Sequence, residues 1–289
     1  MSSGSLYFAR AAWAATNGIS VRAPELHPLH DRTIAQFGIG CLGGPSALEF
    51  ARAGVGDLRI LDDDHVDPAT IGRWPFGLNA AGLPKVDVMA KFIRENYPAT
   101  QVTPLCHRLG APRVEGGFRS DHEIIEQMTA GASILFDATA EMGVQHYLSD
   151  VAARMEVPYV AVVGTHGGWG GEVVCITPGL TEGCWMCYRC AVEDGSIPVS
   201  PSDPKGKVQP RGCGDVTFTA AGFDMTQVAL MAVRTAVAGL CRGAIGGYPA
   251  APWDVLTLQL RDESGQLIVP VTRGHVLGRH ARCPRCNER

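Results

Sequence analysis

Three glycines and one carboxylate carry the first chemical suggestion in this chain. Gly38, Gly40 and Gly43 fall in "GIGCLG" at the spacing G-x-G-x-x-G. Where such a run joins a strand to a helix, backbone N–H groups and the helix dipole favour a bound phosphate. Asp62 follows Gly43 by nineteen residues and closes the next apolar run. A carboxylate at that offset can hold ribose hydroxyls. These features suit a dinucleotide and ATP equally. A second constellation is metal-binding. Cys184-Trp-Met-Cys187 and Cys283-Pro-Arg-Cys286 supply C-x2-C twice, the donor set of a closed tetrahedral zinc site with four thiolates. Because the pairs lie far apart in sequence, zinc there would pin the last residues to the middle of the fold, which is a structural role.

The elements that must position these groups follow from hydrophobic pattern. Thr33 to Phe37 reads as a strand, Ser46 to Ala53 as a helix, and Asp57 to Leu61 as a strand ending in Asp62-Asp63-Asp64. Strand, glycine turn, helix and strand make a βαβ unit. Lys85 to Asn96 is expected to be helical, with Val86, Met89, Phe92 and Ile93 on one side. The alternation continues with a strand at Gln101 to Leu105, a helix at Asp121 to Met128, a strand at Ser133 to Phe136, a helix at Gly143 to Met155 and a strand at Pro158 to Val163. Repeated β then α predicts an α/β fold: a Rossmann-like, mostly parallel sheet with helices on both faces. After Gly164 the expected order is a strand at Glu172 to Ile176, the first cysteine pair, a mobile crossover loop at about 193–214, and a helix at Asp224 to Leu240. A C-terminal antiparallel hairpin then pairs Val255 to Arg261 with Gln266 to Thr272. Residues 1–30 read as an N-terminal helix and connector, and 31–289 as one domain.

Composition narrows the function classes. At 289 residues, with 46% hydrophobic and 19% charged residues, the chain can bury a large core. A net charge of -4 argues against a nucleic-acid binder working by broad phosphate neutralisation. The longest apolar helical stretch, Val228 to Leu240, is too short to span a bilayer and carries Arg234, so no membrane partner is expected. The first residues lack the basic and apolar regions of a secretory signal. A cytoplasmic, reducing compartment is the expectation, in which the ten cysteines serve metal binding or catalysis rather than disulfides.

The ordered set "GIGCLGGPSALEFARAGVGDLRILDDDHVD", "IGRWPFG", "GLPKVDVMAKFIRENYP", "LFDATAE" and the two cysteine pairs resembles the ubiquitin-activating-type adenylyltransferases, over nearly all of residues 31–289. Bacterial members of that family activate small sulfur-carrier or ubiquitin-like proteins. The resemblance implies ATP, magnesium and zinc as cofactors. It implies Gly38, Gly40 and Gly43 against the nucleotide, Asp62 on the ribose with Asp64 beside it, and Arg73 and Lys85 on the triphosphate. The implied partner is a small protein with a glycine C-terminal tail, adenylylated at its carboxylate by a homodimer. Cys213, next to Arg211, is the first choice for a following thioester, and Cys190 the second. Arg10 matches only loosely the family's arginine that reaches a dimer partner. This chain departs from the family at two points. Thr70 stands where an Asn is usual, and Ala140 where an Asp usually helps to bind magnesium, so Asp137 or Glu141 is expected to substitute. These departures keep a catalytically weakened nucleotide-binding scaffold or peptide-recognition module in view. An NAD-dependent oxidoreductase is the remaining alternative, disfavoured by Arg73, Lys85 and the lack of an evident hydride-transfer constellation.

Overall fold

The computed structural model describes residues 21–110, 119–209 and 217–287. Cys213, Arg211, Arg10 and the expected N-terminal helix lie outside the described residues. Five parallel strands form one side of the sheet, with β3 at its edge: β1 (Thr33–Phe37), β2 (Asp57–Leu61), β3 (Gln101–Leu105), β4 (Ile134–Asp137) and β5 (Tyr159–Gly164). Three antiparallel strands extend it, β6 (Gly170–Ile176), β9 (Val255–Arg261) and β10 (Leu267–His275). Their spatial order is β10-β9-β6-β5-β4-β1-β2-β3. The C-terminal hairpin is thus continuous with the main sheet, through β9 pairing with β6. A separate two-stranded ribbon, β7 (Lys207–Val208) and β8 (Thr217–Phe218), flanks the stretch that contains Cys213.

Alternation along the strands builds two cores. Ile34, Ile60, Phe136, Val160, Val162 and Val173 face α1 (Gly43–Arg52), α2 (Lys85–Asn96) and α6 (Gly222–Leu240). Their neighbours Ala35, Phe37, Leu135, Tyr159, Ala161 and Val174 face α3 (Asp121–Thr129), α4 (Met142–Met155) and α5 (Trp185–Glu193). Side chains of successive strand residues point to opposite faces, so a near-continuous apolar run serves a strand covered on both sides. α5 was not anticipated: its sequence reads first as metal ligands, yet Trp185, Cys187, Tyr188, Cys190 and Ala191 turn to the core while Arg189 and Glu193 do not. The last helix, α7 (Pro284–Asn287), carries Cys286. Among the described residues no helix is long and apolar enough to cross a membrane.

The strand order reverses at β1, whose neighbours β2 and β4 lead outward in opposite directions. Crevices at the carboxyl ends of strands beside such a reversal are where open α/β sheets bind ligands.

Candidate nucleotide site and four-cysteine knot

At that reversal lies a cavity of about 370 Å³, lined among others by Gly38, Gly40, Asp62, Leu109, Thr139 and Glu141. The glycine turn forms its floor. Gly38 has φ 81°, and a Cβ there would stand 2.8 Å from the Ala138 carbonyl oxygen. A Cβ on Gly43 would fall 2.0 Å from the Gly38 carbonyl oxygen, whereas one on Gly40 would meet nothing within 4 Å. Two glycines therefore make the turn, and the third leaves the cavity open. α1 begins at the turn with no side-chain cap; the Gly44 N–H donates to the Gly40 carbonyl at 2.8 Å and Pro45 has no N–H, so the turn closes on its own backbone.

One residue that sequence reasoning passed over holds this turn. Gln36 is fully buried, and its Nε2 donates to the carbonyls of Gly38 (3.1 Å) and Gly43 (2.7 Å). A polar residue inside the apolar strand "TIAQF", directly before the glycines, was the available signal. The Arg108-Leu109-Gly110 wall after β3 and Val144 of α4 also escaped notice, because no motif marks them.

Asp62 stands across the turn. Its Oδ2 accepts the Ile39 N–H at 2.7 Å and its Oδ1 the Asp64 N–H at 2.8 Å. Burial raises its pKa, opposed by the Lys85 charge and these two hydrogen bonds. Each carboxylate oxygen has a second lone pair free for another donor. Lys85 opens α2, only 7% exposed, with Nζ 2.5 Å from Asp64 Oδ2.

Arg73 ends the 3-10 turn Pro68–Arg73, which Asp67 caps by accepting the Ala69 N–H. Thr70 folds back onto the same turn, its hydroxyl donating to the Asp67 carbonyl at 2.9 Å. The Arg73 guanidinium donates to the Phe218 carbonyl and to Thr217 Oγ1 (2.8 Å), and lies 4.9 Å from the Phe218 ring centre. Arg73 lines a second cavity of about 320 Å³ with Trp74, Gly222 and Phe223. Burial raises the pKa of Cys41 in the glycine turn, opposed by the charges of Arg73 and Lys85.

On the opposite wall the two candidate carboxylates differ. Asp137 is fully buried, with Oδ1 accepting the N–H (3.0 Å) and hydroxyl (2.7 Å) of Thr139 and Oδ2 accepting the Tyr159 hydroxyl at 2.8 Å. Burial raises its pKa against these hydrogen bonds. Glu141 is exposed and lines the cavity. Between them Ala140 takes φ 57°, a left-handed conformation that costs an alanine about 1 kcal/mol.

Far from this cavity, Cys184, Cys187, Cys283 and Cys286 bring their sulfurs within 4.8 Å of one another, four of the six pairs at 3.6 to 3.9 Å. A tetrahedron with metal–sulfur bonds near 2.3 Å has edges of about 3.8 Å, so the donor set fits zinc. The His280 N–H donates to Cys187 Sγ at 3.3 Å, and the His280 ring pairs with Asp194 at 2.7 Å. Cys190 is buried with Sγ 3.8 Å from the Arg282 carbonyl oxygen, against this knot and away from the glycine turn's lining.

A model of the ThiF family matches residues 17–249. The uncharacterized protein y4qC of Sinorhizobium fredii is 33% identical over 226 residues, 76% of this chain and 38% of that protein. The sulfur carrier protein ThiS adenylyltransferase of Escherichia coli K12 is 28% identical over 183 residues, 63% of this chain and 66% of that protein. The chain thus spans well under half of the first relative and about two thirds of the second. A crystal structure of E. coli MccB with ATP shares the fold, with TM-score 0.64 at 13% identity, over 91% of this chain and 68% of that one.

Proposed function

Because the chain belongs to the ThiF family, we propose that it uses ATP to adenylylate the C-terminal carboxylate of a small sulfur-carrier or ubiquitin-like protein that ends in glycine. The observation that carries this reading is the carboxylate on the glycine turn: Asp62 is bonded to the Ile39 N–H of the glycine run, and Lys85 is paired with Asp64 beside it.

In this reading the phosphates lie on the backbone of Gly38 to Gly43, the ribose is held by Asp62, and Lys85, paired with Asp64, and Arg73 face the triphosphate. A tail carboxylate oxygen attacks the α-phosphorus, forming a mixed anhydride as the bond to the bridging oxygen breaks and pyrophosphate leaves. Attack brings anion to anion, so fixed cations lower the repulsion and stabilise charge on the leaving group. Magnesium, when bound, would neutralise phosphate charge. Of Asp137 and Glu141, it is Glu141 that lines the cavity beside Asp62, Asp63 and Asp64, since Asp137 is spent on Thr139 and Tyr159. Zinc held by Cys184, Cys187, Cys283 and Cys286 would close the fold. A thioester on Cys213, and action as a homodimer, complete the reading. The position of Cys190 against the metal knot supports Cys213 over Cys190.

The test is exchange of labelled pyrophosphate into ATP in the presence of a glycine-tailed sulfur-carrier protein. Exchange is expected to depend on that partner, and Lys85→Ala should lower it by about 10²- to 10³-fold, the loss seen when a preorganised donor is removed. Non-reducing gels should show a partner adduct that Cys213→Ala abolishes. Ala140 favours a second reading, a weakened nucleotide-binding scaffold. In that case ATP binds without partner-dependent exchange, and Ala140→Asp raises magnesium affinity.

A further inference from the structure

The hydrogen bond between Tyr159 and Asp137 takes no part in the chemistry above, yet it stands between the two sites which that reading uses. On one side, Asp137 holds Thr139 through both the backbone N–H and the hydroxyl. Thr139 and Ala138 form a wall of the nucleotide cavity. The Ala138 carbonyl is also the group that presses on Gly38, since a Cβ there would stand 2.8 Å away. Any shift of this wall is therefore felt by the glycine turn. On the other side, the Tyr159 ring meets Trp185 edge to face, with ring centres 5.8 Å apart at 88°. Trp185 follows the metal-ligand candidate Cys184 directly and packs again on Tyr188 at 5.2 Å. Asp137, Tyr159 and Trp185 are each no more than 2% exposed. Close-packed interiors transmit small displacements because they hold few voids to absorb them.

We infer that the four-cysteine knot and the nucleotide cavity are coupled through Trp185, Tyr159, Asp137 and Thr139, with Tyr159 as the positioning residue at the centre of the chain. The inference rests on the reading that ATP occupies the cavity and zinc the knot. Tyr159 acting only as core filling predicts effects on folding stability alone. Coupling predicts a change in ATP affinity with the fold intact, and it must be reciprocal, so that ATP tightens the hold on zinc by the factor by which zinc tightens ATP.

Tyr159→Phe keeps the ring and its contact with Trp185 and removes the hydroxyl. Its ATP dissociation constant is expected to rise about tenfold, within the usual range of a coupling between two sites. Stoichiometric zinc and cooperative melting should be retained. In wild type, saturating ATP should slow transfer of zinc to a chromogenic chelator, and Tyr159→Phe should lose that protection. Should Tyr159→Phe not fold, Trp185→Phe is the second variant, expected to bind ATP while losing the protection of zinc. Wild-type ATP binding with undiminished affinity in Tyr159→Phe overturns the inference, as does wild-type zinc release that ATP leaves unchanged. A wild-type protein that binds no ATP overturns the reading beneath it, and the two failures are thereby distinguished.

Discussion

At Gly43 an added methyl would collide with the Gly38 carbonyl oxygen, whereas at Gly40 it would enter open space. Gly43→Ala is therefore expected to destabilise the fold by about 1–3 kcal/mol through overpacking, read as a lower denaturant midpoint. Gly40→Ala should leave that midpoint within about 0.5 kcal/mol and weaken ATP binding alone, because Gly40 lines the cavity. Equal stability losses at both positions would contradict this division. Gln36 belongs to the same logic. Its buried Nε2 ties together the carbonyls of Gly38 and Gly43, so the turn is held by a side chain as well as by the absence of others.

β6 carries the next constraint, at the scale of an element. Its Glu172 is 5% exposed, accepts the Ser200 N–H at 2.9 Å, and thereby ties the segment after α5 to the sheet. Ser200 Oγ donates to the Leu258 carbonyl, and the Asp203 N–H to the His166 carbonyl at 2.9 Å, fastening the same segment. Burial pushes the Glu172 carboxyl from its ordinary value of 4.5 up to about 7, against the Ser200 hydrogen bond. Between these two pH values the folded chain holds a proton that the unfolded chain has released, so stability falls as pH rises from 4.5 to about 7. Above that range the loss is complete, about 3 kcal/mol. Glu172→Gln keeps an acceptor for Ser200 and removes the titration. The difference between wild-type and variant unfolding free energies should therefore slope with pH below 7 and flatten above it, with the variant the more stable at pH 8. Parallel curves across this range would refute the assignment.

For the whole molecule, the sheet supplies rigidity and the cysteine knot supplies closure. Cys283 and Cys286 reach back to α5, and Arg285 bonds to Asp150 of α4, so the last described residues are fastened to the helices of one face. Removing zinc with a chelator is expected to lower the melting temperature by several degrees and to make four thiols titratable with a disulfide reagent. A metal-free protein of unchanged melting temperature would show that the knot does not close the fold.

Much of this architecture is legible in the chain alone. The bounds of β1, β2, α2 and β3 follow from hydrophobic runs between glycine, acidic and proline signals, since a strand buried on both faces tolerates few polar residues. The two C-x2-C pairs announce their convergence by chemistry. Spacing puts Asp62 at the end of β2, where it meets the glycine turn. Other features depend on contacts between residues distant in sequence, which no local pattern encodes. Among them are the attachment of the hairpin to β6, the inward turn of Asp137 toward Tyr159, and the grip of Arg73 on Thr217 and Phe218. Local sequence determined which elements form and which side chains could do chemistry. Tertiary packing decided which carboxylate faces the cavity and which is buried, because that depends on the neighbour each side chain meets across the sheet.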